Sequence, residues 1–161
     1  MEIINTLGDV SLAKQDLATA EQRFLTAIET AYKLGLVHNL PLYVNNLARV
    51  RIRRGELATA RHDLHEALER ALELNLLPWA LMVMVTYGGL YIVQGDRDRA
   101  LRLFGLVQFH LGFNPEIGRQ IETYLQDWGL AIKDAANAAK GYDFEAEVSD
   151  LLGRTWTPED S

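Results

Sequence analysis

Apolar residues recur through the first two-thirds of the chain at i, i+3, i+4 and i+7, the spacing of one face of an α-helix. Leu57, Ala60, Leu64, Ala67, Leu68, Ala71 and Leu72 form one such stripe, and Arg61, Asp63, Glu66, Glu69 and Arg70 fill the opposite face. The spacing predicts a helix from about Glu56 to Asn75. Before it, Pro41 opens another helix, since proline suits the first helical turn. That helix runs through Tyr43, Val44, Leu47, Ala48, Val50 and Ile52 and stops at Gly55, the residue type that most readily adopts the left-handed end of a helix. The same grammar predicts helices over about 79–94 and 97–111, turning at Gly95-Asp96, and an N-terminal pair turning at Gln15-Asp16.

This pattern repeats every 40 residues. A small residue falls at Ala20, Ala60 and Ala100, a bulky apolar one at Phe24, Leu64 and Phe104, and the next core position at Ala27, Ala67 and Val107. Gly8, Ala48 and Gly88 take matching places in the preceding helices. A fixed period in this range predicts a stacked array. The small residues let the two helices of a pair cross closely, and the bulky ones fill the space beside the crossing.

Beyond Gly112 the pattern changes. Asn114-Pro115 is a helix-start signal, and Ile117, Ile121, Tyr124, Leu125, Trp128, Leu130, Ile132 and Ala136 predict one long helix over about 116–139. Gly141 breaks it, and Phe144, Val148, Leu151 and Leu152 predict a short amphipathic helix. The expected organisation is three repeats over residues 1–112 (about 1–36, 37–76 and 77–112), a capping helix pair over 113–153, and a flexible tail over 154–161.

The repeated positions resemble tetratricopeptide repeats, helix–turn–helix units that stack into a right-handed superhelix. The residues that carry the resemblance are Leu7-Gly8, Ala20, Phe24 and Ala27, then Leu47-Ala48, Ala60, Leu64 and Ala67, then Tyr87-Gly88, Tyr91, Ala100, Phe104 and Val107. It spans about residues 1–112. The usual unit is about 34 residues, shorter than the period here. Ile4, Val44 and Met84 stand where the family pattern opens with tryptophan, and the helix-ending proline is missing. The longer unit is similar to variant repeats in the C-terminal sensor regions of large bacterial signal-transduction ATPases and transcriptional activators. The resemblance implies an all-α, tetratricopeptide-like α-solenoid of antiparallel helix pairs. It also implies a sensor or scaffold role, with a protein, a peptide or another domain of a larger parent as partner.

In such arrays the first helices of the pairs line a concave groove. Asn5 and Asp9, then Asn45, Arg49 and either Ile52 or Arg53, then Val85 and Gly89 take the groove-facing places. Asn45 and Arg49 lie one turn apart, suited to a peptide amide and a carboxylate. The alternative is a solvated basic strip of Arg49, Arg51, Arg53 and Arg54. The stretch 81–93 leaves no polar face, which fits either an apolar groove or a helix buried beneath the C-terminal cap. His62 and His65 are spaced to meet on one helix face, yet no third metal ligand accompanies them.

Composition narrows the class further. Hydrophobic residues make up 48% of the 161 and charged residues 24%, as in a folded globular chain. The net charge of −6 argues against a nucleic-acid surface. The absence of cysteine removes thiolate sites and disulfides and fits a cytoplasmic setting. The uncharged run Leu74–Val93 is as long as a membrane span, but Asn75 and Pro78 split it between two helices. No phosphate-binding glycine loop, nucleophile elbow or zinc-protease motif occurs, so the chain is expected to be a binding protein without cofactor or metal, and not an enzyme. A homodimer through the open N-terminal end, where Ile3, Ile4, Leu7, Leu12 and Phe24 lie, is the alternative to partner binding.

Overall fold

The computed structural model describes residues 2–110 and 113–158. Among these the chain is all-helical, with no strand. The helices are α1 (Glu2–Ala13), α2 (Leu17–Leu34), α3 (Leu40–Arg54), α4 (Leu57–Glu73), α5 (Leu77–Val93), α6 (Arg97–Gln108), α7 (Pro115–Asp127), α8 (Ile132–Ala138) and α9 (Phe144–Leu152). A short 3₁₀ turn, Val37–Asn39, leads into α3.

Short turns fold α1 onto α2, α3 onto α4 and α5 onto α6. Each of these turns passes through a left-handed residue: Gln15 at φ 60°, Gly55 at 79° and Gly95 at 83°. The helix-closing hydrogen bond recurs with the sequence period. Asp16 N–H donates to Ser11 C=O, Glu56 to Arg51 and Asp96 to Tyr91, each at 2.9 Å. The links between pairs recur in the same way, with Leu36 N–H donating to Ala31 C=O at 2.9 Å and Leu76 to Ala71 at 2.7 Å.

The packing at the crossings follows from side-chain volume. Ala20, Ala60 and Ala100 are fully buried, as are Ala27 and Ala67. A Cβ at Gly8 would stand 2.5 Å from Phe24 Cε1, and one at Gly88 would stand 2.7 Å from Phe104 Cζ. In the middle pair the matching residues are Ala48 and Leu64, both fully buried, so the larger residue in one helix accompanies the smaller in the other. Along the chain, α3 also lies against α1 and α5, while α2 packs on α3 and α4 on α5. Helix α5 is covered on every side, with Ala80 to Tyr91 all buried. Asp63, expected on the outer face of α4, is buried too, because Arg51 on α3 meets its carboxylate at 2.5 Å.

The C-terminal part departs from expectation. The expected long helix is two helices, because Gly129 takes φ 64° and Leu130 N–H closes back onto Leu125 C=O at 3.0 Å. This is the glycine-terminated end that stops a helix. Three helices therefore stand where a capping pair was expected. Helix α7 lies against α5, α8 against α6, and α9 crosses back over α4 and α6. Gly105 on α6 makes the α8 contact possible, since a Cβ there would meet the Ala135 carbonyl and lie 2.6 Å from Ala139 Cβ. Helix α6 ends at Gln108, and the expected helix end at Leu111 and boundary at Gly112 lie outside the described residues. The tail is not wholly free: Trp156 is buried, and its N–H donates to Ser149 Oγ at 2.9 Å. Residues 159–161 of the expected flexible tail lie outside the described residues. Among the described residues, no helix is long and apolar enough to cross a membrane.

Candidate peptide groove

Arg49, Ile52 and Arg53 share one stripe of α3 by their i, i+3, i+4 spacing. Gly89, Ile92 and Val93 occupy the same stripe of α5, 40 residues later. Helix α7 supplies a third wall through Gln120, Thr123, Tyr124 and Asp127. Together these residues line an open cavity of about 360 Å³. Gly89 sets its depth, because a Cβ at that position would be 2.5 Å from the Tyr124 hydroxyl. The Tyr124 ring also stacks on Phe104, with centroids 5.6 Å apart. Burial raises the Tyr124 pKa, so the phenol keeps its proton.

The polar groups of this wall fall into two sets. The first is a ring of side chains joining α1 to α3. Arg49 Nη1 donates to Asp9 Oδ1 at 3.2 Å and to Asn46 Oδ1 at 3.1 Å. Asn46 Nδ2 donates to Asn5 Oδ1 at 3.0 Å, and Asn5 Nδ2 to Asp9 Oδ2 at 3.4 Å. Burial raises the Asp9 pKa, and the Arg49 charge opposes that rise. The second set is Arg53 and Gln120. Arg53 Nη1 donates at 2.7 Å to the Leu12 carbonyl near the end of α1, which also accepts from the Gln15 N–H at 3.1 Å. Gln120 Oε1 is buried and meets no hydrogen-bond donor among the described residues.

The structure thus gathers Arg49, Arg53 and Gly89 around one cavity and ties Asn5, Asp9 and Arg49 to one another. Asn46, absent from the expected set, is the residue that faces α1. Asn45 and Val85 are buried and do not line the cavity. A one-residue step turns a helical side chain through about 100°, which separates Asn45 from Asn46. Neither polar atom of Asn45 finds a partner among the described residues. Nothing in the repeat pattern marked Gln120, Thr123, Tyr124 or Asp127, because they come from outside the three matched units.

The other candidates resolve individually. The basic strip is not uniformly solvated: Arg51 pairs with Asp63, and Arg54 with Glu21. The apolar face of α5 is covered by packing, including contact with α7, and is not an open groove. His65 Nε2 lies 3.1 Å from the Leu152 carbonyl and so holds α9. Among the described residues, no group of three or more histidines and carboxylates is placed to hold a metal ion. Comparison of the chain with family models, curated proteins and solved structures finds no match.

Proposed function

We propose that the chain is a tetratricopeptide-like α-solenoid that binds an extended protein or peptide segment in the groove of α3, α5 and α7. The periodic turns and glycine–phenylalanine crossings support the array. One observation carries the binding role: Arg53 and Gln120 line the same open volume, beside the apolar Ile52, Ile92 and Val93. An acidic side chain would pair with Arg53, and an apolar neighbour would lie on Ile52, Ile92 and Val93. Arg49 is already engaged by Asp9, which leaves Arg53 as the principal cation for the partner. By the resemblance of its repeats, the module serves as the sensor or scaffold part of a bacterial signalling protein in the cytoplasm. Its groove takes a segment of a separate protein or of another domain of its parent. The role is recognition, not catalysis.

Fluorescence anisotropy with labelled acidic, neutral and basic peptide pools tests this reading. Acidic peptides should bind, and Arg53→Glu or Gln120→Leu should each weaken them by about tenfold, equivalent to roughly 1.4 kcal/mol. Circular dichroism checks that both variants keep their helices. No binding by any pool, or binding indifferent to both substitutions, would reject the groove.

A further inference from the structure

Of the residues expected at an open N-terminal end, Leu12 and Phe24 are packed inside. A built concavity lies on the C-terminal side. The α4–α5 turn, the end of α6, the start of α9 and the C-terminal segment meet around an open cavity of about 280 Å³. Its walls are aromatic. Trp156 forms one, held by a reciprocal pair of hydrogen bonds: its N–H donates to Ser149 Oγ at 2.9 Å, and that hydroxyl donates to the Trp156 carbonyl at 3.4 Å. Phe144 and His110 form another, with ring centroids 4.3 Å apart. Leu72 and Leu77 line the cavity beside these rings.

The charges on this wall share one sign. Asp143 and Glu145 line the cavity, and among the described residues neither carboxylate has an ion-pair partner. The later carboxylates of α9 are matched, Glu147 by Arg99 and Arg102, and Asp150 by Arg99. No described lysine or arginine lines the cavity. Burial lowers the His110 pKa, so the imidazole adds no charge at neutral pH. Asn75 supplies a carboxamide. Its backbone is left-handed at φ 55°, where Gly35, 40 residues earlier, has φ 67°. Glycine makes such a turn without steric cost. Asparagine makes it while placing an amide on the cavity wall, and that amide has no hydrogen-bond partner among the described residues.

We propose that this cavity binds a small organic cation, a protonated amine carried on a single aromatic ring. The site is separate from the peptide groove and does not rest on it. The ring would lie against Trp156 and Phe144 and bury its apolar surface there. The ammonium would donate charge-assisted hydrogen bonds to Asp143 and Glu145, and a further one to the Asn75 carbonyl oxygen. A cation beside the Trp156 ring also gains from the negative face of the indole. The volume stands at the small end of ligand cavities, which span about 300–1,000 Å³, and so suits one ring and a short chain. The same two carboxylates repel an anion, and an uncharged ring gains only the apolar part.

Titration with phenethylamine, phenethyl alcohol and phenylacetate, followed by NMR of the tryptophan indole N–H signals, reads the result. These probes share a ring and differ in charge. The chain has three tryptophans, and Trp156→Phe assigns the signal that belongs to the cavity. Phenethylamine should bind with Kd of about 0.1–1 mM, as expected of so small a ligand. It should move the Trp156 signal and leave those of Trp79 and Trp128 in place, and phenylacetate should move none. Glu145→Gln combined with Asp143→Asn should weaken the amine about three- to tenfold and leave the alcohol unchanged. Asparagine still caps α9 at position 143, and circular dichroism checks that the helices remain. A Trp156 signal unmoved by about 10 mM amine, equal binding of all three probes, or amine binding indifferent to the double variant would overturn the proposal. Tighter binding of N-acetyl-lysine amide than of phenethylamine would overturn it too, and give the cavity to a side chain of a protein partner.

Discussion

Gly88→Ala tests the volume rule at the helix crossings. The new methyl would enter the Phe104 ring, lying 2.7 Å from Cζ and closer still to Cε1. Phe104 is fully buried, so its ring has no open space to move into. Overpacking of this kind costs about 1–3 kcal/mol, and alanine's better helix propensity returns about 1 kcal/mol. The net expectation is a loss of about 0–2 kcal/mol. The middle pair already contains the compensating solution, Ala48 with Leu64. Phe104→Leu alone should cost about 1–2 kcal/mol through lost burial. The double variant Gly88→Ala/Phe104→Leu should be less destabilised than the sum of the two, by a coupling of about 1–2 kcal/mol. Urea unfolding followed by tryptophan fluorescence is the assay. It reports on the right region, because Trp79, Trp128 and Trp156 all lie from α5 onward. Additivity within about 0.5 kcal/mol, or a Gly88→Ala variant stabilised by the full helix term, would refute the argument.

Two further substitutions borrow from one repeat to correct another. Asn45→Val copies Val85, its buried counterpart 40 residues on, and removes two buried polar atoms without partners among the described residues. It should raise stability by about 1–2 kcal/mol, seen as a higher urea midpoint; a fall would mean that buried water meets the amide. Glu56→Asp should add an N-cap to α4. Asp16 and Asp96 accept from the N–H of Thr19 and Arg99, both at 3.1 Å, whereas Glu56 caps nothing from a similar backbone. A gain of about 0.5–1 kcal/mol is expected in thermal unfolding. The exposed 3.7 Å pair of Glu56 with Arg54 gives up little on replacement. An unchanged or lower midpoint would count against the cap.

The helices through α6 were legible because apolar spacing and turn glycines agree there, level by level. The break between α7 and α8 was not, although Gly129 signals it. Apolar residues continue on both sides of that glycine in register with a single helix, and the pattern outweighed the turn. At the groove, Arg49, Arg53 and Gly89 could be placed because the repeat fixes their stripe. Asn45 could not be told from Asn46, since adjacent asparagines differ only in rotation about the helix. Asp63 read as solvent-facing because its partner Arg51 is 12 residues away on another helix, where periodicity carries no information about pairing. The α7 side of the cavity lies outside the matched repeats and has no register to inherit.

Helix α9 changes how the molecule comes apart. Contacts in a stack of helix pairs run mostly between neighbours, so such a stack can unravel gradually from an end. Here the C-terminal segment returns to the middle of the stack. Arg99 pairs with Glu147 and Asp150, Arg102 with Glu147, Arg154 with Glu69, and His65 holds the end of the helix. These links join residues about 45 to 87 positions apart and fasten α4 to α6. Fraying that starts at α1 and α2 meets no such fastening until it reaches α4. From there to Trp156 the chain is expected to open as a single cooperative unit, so its backbone amides should exchange more slowly than those of α1 and α2.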